Sequence, residues 1–393
     1  MKLDDLSDLI VFDGFPLTYI PKQKIILTHL LHLERQTLPQ KLCTICTTQI
    51  LAKKFKKYCE MIDYKGLTTD NFCYLEPYNF IDIVIEKRTL QIFTCESQNA
   101  DHNLMILIRE NGKLNYVYAG NFVDTRTALL DDDFAKWISQ GVEKLYVNLK
   151  HVPDDQLYKP IQEFHLITQS LKMIEDIITY HEKQTFAIYL PLFGYDNFVQ
   201  KLSNHLPRRV ALLSNLSEFY SYSQKKADDF CKKPDSARIY ITGGAISKQK
   251  AKINFEKHGI ISLNISADSM PSSLTVDLSK ENFYYDLCYS PEPDIYDLQL
   301  LILLCKPKRI YGIIDRFNVK SKPPQHLIQI SKGIANKRIE VTKMPQQQQQ
   351  QQGARAKNKS DFPIIVGSIV NNRDQQSRQR GPFLNESEAD MDD

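Results

Sequence analysis

The texture of the sequence changes near Tyr158, and this change constrains the fold most. Beyond it, apolar runs of strand length alternate with helical periodicity. Phe164, Ile167, Leu171, Ile174 and Ile178 recur at helical spacing and predict an amphipathic helix over residues 161–181. A strand at 186–190, a loop at Gly194, a helix near 197–202 and strands at 209–213 and 238–242 follow, the last ended by Gly243-Gly244. A helix over 294–304, Lys306-Pro307 and a strand at 309–314 complete the pattern. Such alternation implies a largely parallel, helix-covered sheet. The first third reads differently, as short strands with few helices: 10–12, 24–27, 81–85, 89–94 and 144–147, with one helix over 44–57. Its clearest local feature is the pair of runs 104–108 and 114–118 joined through Asn111-Gly112, a hairpin signal because both turn residues must take positive φ.

With 42% hydrophobic and 25% charged residues in 393, the chain can bury a large core. The stretch from Pro345 stands outside it. It opens with glutamines 346–352 and ends in the acidic residues 386–393, with one apolar island, Phe362-Pro-Ile-Ile-Val366. So few apolar residues predict a solvated tail, with the island as the only candidate docking motif. The net charge of +3 demands no polyanionic partner. Local basic clusters (Lys53, Lys54, Lys56 and Lys57; Arg208 and Arg209; Lys306, Lys308 and Arg309) are solvated faces or phosphate contacts. No run of eighteen apolar residues and no secretory leader is present, which predicts a soluble, intracellular protein without a membrane partner. Eight irregularly spaced cysteines suit a reducing compartment. Cys43-Thr-Ile-Cys46 is formally a CxxC, but no second pair accompanies it as a zinc knuckle requires.

Several stretches in order carry a resemblance. Val11-Phe-Asp-Gly-Phe15, Ile25-Ile-Leu-Thr-His29 and Leu42-Cys-Thr-Ile-Cys-Thr-Thr-Gln-Ile-Leu51 come first. Leu104-Met-Ile-Leu107, Tyr118-Ala-Gly-Asn-Phe122 and Leu145-Tyr-Val-Asn148 follow, then Tyr289-Ser290 and Lys306-Pro-Lys-Arg-Ile310. Together they resemble the Artemis/Apollo-type DNA cross-link repair nucleases over roughly residues 8–320. The resemblance implies an α/β fold, an αββα metallo-β-lactamase sandwich with an inserted β-CASP α/β domain. It places the N-terminal part of the lactamase-like domain at 1–151, the insert at 152–286, the C-terminal part at 287–344 and the tail at 345–393.

Two-metal hydrolysis needs converging histidines and carboxylates that activate a bridging water and clamp the phosphoryl oxygens. The family uses zinc and supplies those ligands from motifs that are altered here. Its His-x-His-x-Asp-His turn corresponds to Thr28-His29-Leu30-Leu31-His32-Leu33-Glu34-Arg35, so only His29 matches, Leu31 and Leu33 replace ligands, and Glu34 replaces the last histidine. Asn99 stands for the next histidine, Asn121 for the bridging aspartate, Asn148 for another aspartate and Glu292 for the final histidine. A neutral amide is a poor bridge between two cations. The expectation is therefore no catalytic residue and no cofactor. A shifted single-metal site would draw on His29, His32, Glu34, Asp101, His102 and Glu292. Gly243-Gly244 lacks the further glycines of a phosphate loop, and no Gly-x-Ser-x-Gly elbow occurs.

The resemblance thus implies a nuclear, catalytically degenerate relative of the DNA end-repair nucleases. Its expected role is binding DNA, through residues such as Lys306, Lys308 and Arg309, or joining a DNA-repair or telomere-type protein complex. Two alternatives are an active 5′ exonuclease or endonuclease with a remodelled site, and a scaffold that makes only protein contacts.

Overall fold

The computed structural model describes residues 9–85, 87–98, 101–110, 112–123, 125–139, 141–150, 167–206, 210–221, 237–266, 282–293, 295–313 and 328. The tail, Asn99, Asn111, Arg208, Arg209 and the first residues of the 161–181 helix lie outside them. The described residues fall within one compact unit, Met1–Arg338, and mix helices with strands in three sheets, an α/β architecture.

The first sheet is built from β1 (Ile10–Phe12), β2 (Lys24–Ile26), β3 (Thr44–Thr47) and β4 (Phe72–Tyr74), side by side in that order and all parallel. Helix α1 (Gln49–Met61) follows β3, so the single helix expected over 44–57 is divided. Its first residues, Thr44-Ile-Cys-Thr47, include β-branched side chains that suit a strand. Thr48 then caps α1, its Oγ1 accepting from Leu51 N at 3.3 Å.

The second sheet runs through β5 (Phe80–Ile85), β6 (Arg88–Glu96), β7 (Leu104–Glu110) and β8 (Lys113–Gly120) as an antiparallel meander. The turn from β7 to β8 passes Gly112 at φ 75°. After α2 (Thr125–Ala128) and α3 (Asp132–Ser139), β9 (Val142–Asn148) joins parallel to β8. The strands bury both faces with a period of two. Leu104, Ile106, Ile108, Tyr118 and Tyr146 enter the main core, while Met105, Leu107, Val117, Leu145 and Val147 enter a second one with Trp137 of α3.

The third sheet holds β10 (Thr185–Leu190), β11 (Val210–Leu212), β12 (Ile239–Gly243), β13 (Ile260–Ser266) and β14 (Tyr284–Cys288). Its order is β11-β12-β10-β13-β14 and every pairing is parallel. Helix α4 (Ile167–Tyr180) precedes it; α5 (Asp196–His205), α6 (Ser214–Ser221) and α7 (Lys248–His258) lie between its strands in sequence. The chain then returns to the second sheet: α8 (Ile295–Cys305) contributes Leu298, Leu301 and Ile302 to the second core, and β15 (Pro307–Ile313) pairs parallel with β9. The third sheet is therefore inserted between two strands that neighbour each other in space. The carboxyl ends of its strands carry Gly194-Tyr195-Asp196 and the segment through Glu292 toward the loops that end β2, β6 and β9.

Candidate functional site

The site forms where the strand ends of the first two sheets meet the inserted one. Asp13, directly after β1, takes φ 46° and is 1% exposed. Its Oδ1 accepts from Thr28 N and its Oδ2 from Thr28 Oγ1, both at 2.6 Å, and Oδ2 also accepts from the Tyr118 hydroxyl at 2.7 Å. Three donors satisfy this buried carboxylate and fix the turn after β2 that presents His29. Gly120, at φ 47°, lets β8 pass close to that turn, since a Cβ there would lie 3.2 Å from Thr28 Oγ1. His29 Nε2 is 3.5 Å from Asp13 Oδ2.

Asn121 follows Gly120. Its Nδ2 lies 3.2 Å from His29 Nε2 and 3.4 Å from Nδ1, and its backbone carbonyl accepts from Asn103 Nδ2 at 3.1 Å. Asn148, at the end of β9, donates from Nδ2 to Asn121 Oδ1 at 2.6 Å and to Glu292 Oε1 at 3.2 Å. Asn148 Oδ1 accepts from Lys150 N at 2.8 Å. Glu292, carried past β14 from the inserted unit, accepts from the Ser290 hydroxyl at 2.9 Å and pairs with Lys150 Nζ at 3.1 Å. His32 Nε2 stands 3.7 Å from Glu292 Oε1. His29, Asn121, Asn148 and Glu292 thus form one continuous chain of polar contacts.

The other candidates disperse. Glu34 is exposed in a 3-10 turn, Leu33–Arg35. His102 Nδ1 is 3.1 Å from Glu96 Oε1, away from the chain just described. Asp101 Oδ1 accepts from Asp196 N at 2.9 Å at the start of α5, and Asp196 Oδ1 meets Lys54 Nζ at 2.5 Å. All three of these charged residues are buried. Burial, then the charge of Asp196, pushes the Asp101 carboxyl well above the usual carboxylate range. Lys54 Nζ pairs with Asp196, and among the described residues no cation is paired directly with Asp101.

Leu31, in the place of a second histidine, is 3% exposed and packs on the loop after β10. A Cβ on Gly194 would come 2.6 Å from Leu31 Cδ1, and Gly194 has φ 86°. Lys306, Lys308 and Arg309 are exposed, and Lys308 pairs with Glu143 at 2.7 Å. Pro307 is in register with Val142 and Ile313 with Asn148, so this basic group stands roughly 20 Å along the sheet from the Asn148 end. Parallel pairing with β9 places the start of β15 at the opposite end of that strand from Asn148.

Sequence reasoning missed Asn103, Ser290 and Lys150 as members of the site, and the pairing of Asp13 with Tyr118. The signal available for Asp13 was an aspartate and a glycine directly after a buried strand. Among the described residues no group of three or more His, Cys, Asp or Glu side chains is arranged to hold a metal ion. A two-zinc group does not fit these residues. An amide stands beside His29 and Leu31 is packed against backbone, whereas zinc sites are built from histidine, cysteine and carboxylate donors.

No family model and no curated protein sequence matches the chain. Among solved structures, a protein of unknown function from Enterococcus faecalis V583 is similar at 14% identity, with 73% of this chain and 74% of that one covered and a TM-score of 0.48. That likeness is too low to carry an argument. No helix among the described residues is long and apolar enough to cross a membrane.

Proposed function

We propose that this chain is a non-hydrolytic relative of the DNA cross-link repair nucleases that binds DNA ends or a repair-type protein complex in the nucleus. On this reading, β1–β9 with α8 and β15 correspond to the metallo-β-lactamase sandwich, and the third sheet with its helices to the β-CASP insert. One observation carries it. His29, Asn121, Asn148 and Glu292, singled out by the resemblance across 264 residues of sequence (29 to 292 inclusive), meet in a single chain of hydrogen bonds.

At those positions the contacts are now amide to imidazole, amide to amide and amide to carboxylate. Such a network can order a strand terminus or a bound water, but it supplies neither a metal-activated hydroxide nor a divalent clamp on phosphate. A role through binding follows, with phosphate contacts made by exposed cations and backbone amides.

The test is anisotropy titration of labelled single-stranded and blunt duplex DNA across a salt series, with the same samples run for cleavage in zinc and in manganese. Intact DNA with salt-dependent binding supports the proposal. Cleavage abolished by His29→Ala supports the active-nuclease alternative, and absence of binding at low salt supports the scaffold alternative.

A further inference from the structure

Cys43 and Cys46 look like a pair in the sequence, but the fold separates them. On an extended chain, side chains three residues apart point to opposite faces. Cys43 Sγ lies 3.7 Å from both the Ile20 carbonyl and the Gln23 side-chain oxygen. Cys46 belongs to a different row. Phe12, Ile26, Cys46 and Cys73 are successive register partners across β1, β2, β3 and β4, so their side chains share one face of the sheet. The Phe12 and Tyr118 rings, 4.5 Å apart, identify that face as the one turned toward the second sheet.

Adjacent strands lie about 4.8 Å apart, inside the roughly 4.4–6.8 Å range of Cα separations that disulfides span. Cys46 and Cys73 face each other as register partners on β3 and β4, so their thiols are direct neighbours. Cys46 is buried in the core, whereas Cys73 sits on the edge strand and is half-buried. Cys73 is therefore the more accessible of the two, with Cys46 behind it.

We infer that Cys46 and Cys73 form a reversible dithiol–disulfide pair, oxidised by exchange with a low-molecular-weight disulfide such as glutathione disulfide. Cys73 reacts first. The neighbouring Cys46 thiol, aided by the Lys24 charge, lowers the Cys73 thiol from its ordinary value and so raises its thiolate fraction. The Cys73 thiolate attacks one sulfur of the small disulfide, forms a mixed disulfide and releases one small thiolate. Cys46 then yields its proton to that thiolate, and its sulfur attacks Cys73 Sγ and expels the second small thiolate, which takes up from solvent the proton that Cys73 had released. Two protein thiols lose two hydrogens and one small disulfide becomes two thiols.

The new bond ties edge strand β4 to β3. The Cys46 carbonyl accepts from Leu27 N at 3.0 Å, two residues before His29, so oxidation braces the sheet beneath the candidate site. This pair does not depend on the function proposed above.

The experiment treats the reduced full-length chain with glutathione disulfide, blocks free thiols and maps peptides by mass spectrometry. The expected result is a loss of about 2 Da carried by a linked Cys46–Cys73 peptide and reversed by dithiothreitol. The Cys43→Ser variant should keep the linkage and Cys73→Ser should lose it. Cys46→Ala should instead trap one glutathione on Cys73, an outcome that a merely structural cysteine does not give. No linkage in the natural chain, or a stable glutathione adduct there, would overturn the inference.

Discussion

Asp101 and Asp196 differ in what they can lose. Asp196 neutralises a lysine that is 2% exposed, so Asp196→Asn leaves Lys54 buried without its counter-charge, a loss of about 3–5 kcal/mol. Asp101 has its titration raised in the folded state by burial and by Asp196. Its favourable contribution is complete below the ordinary carboxylate value of about 3.9 and fades as pH rises through the higher folded value. Asp101→Asn keeps an acceptor for the Asp196 amide and removes that titration. Urea unfolding from pH 4 upward should therefore show the variant gaining on the natural chain as pH rises; a constant difference would refute the assignment. Gly194 supplies a second residue-scale prediction. Gly194→Ala forces a β-carbon against Leu31 at positive φ and should cost about 1–3 kcal/mol. In Leu31→Ala the steric part of that cost should vanish, so the double-mutant cycle should depart from additivity.

At the scale of elements, periodicity made much of the fold legible and pairing did not. The continuous apolar runs of β7 and β9 and the helical stripe of α4 stand plainly in the sequence. The strand Thr44–Thr47 was hidden because its four residues run straight into α1, and only the Thr48 cap separates the two. That cap yields a prediction: Thr48→Ala should lower stability by about 1 kcal/mol without changing the fold, as read from the urea midpoint and circular dichroism. The position of Lys306, Lys308 and Arg309 could not be read locally, since it follows from β15 lying parallel to β9. Lys308→Ala should change stability by less than about 1 kcal/mol, because its pair with Glu143 is solvent-exposed. If the basic group binds DNA, the Lys306→Ala/Lys308→Ala/Arg309→Ala protein should show a weaker salt slope with its fold intact. An unchanged slope would remove this group from the interface.

For the whole molecule, the insertion of a parallel sheet between β9 and β15 explains how Glu292 reaches Asn148. The resemblance singled out His29, Asn121, Asn148 and Glu292, and these four residues meet in the fold. The settings of Asp101 and His102 were not legible, since their partners Asp196 and Glu96 are chosen by tertiary packing. His29, Asn121, Asn148 and Glu292 form a hydrogen-bonded network of imidazole, amides and a Lys150-paired carboxylate, a donor set that should not retain zinc. Elemental analysis of the purified full-length chain, after incubation with zinc and dialysis, addresses this directly. Far less than one zinc per chain, unchanged by His29→Ala, is the expected result; about one or two zinc ions per chain, lost in His29→Ala, would contradict a metal-free network.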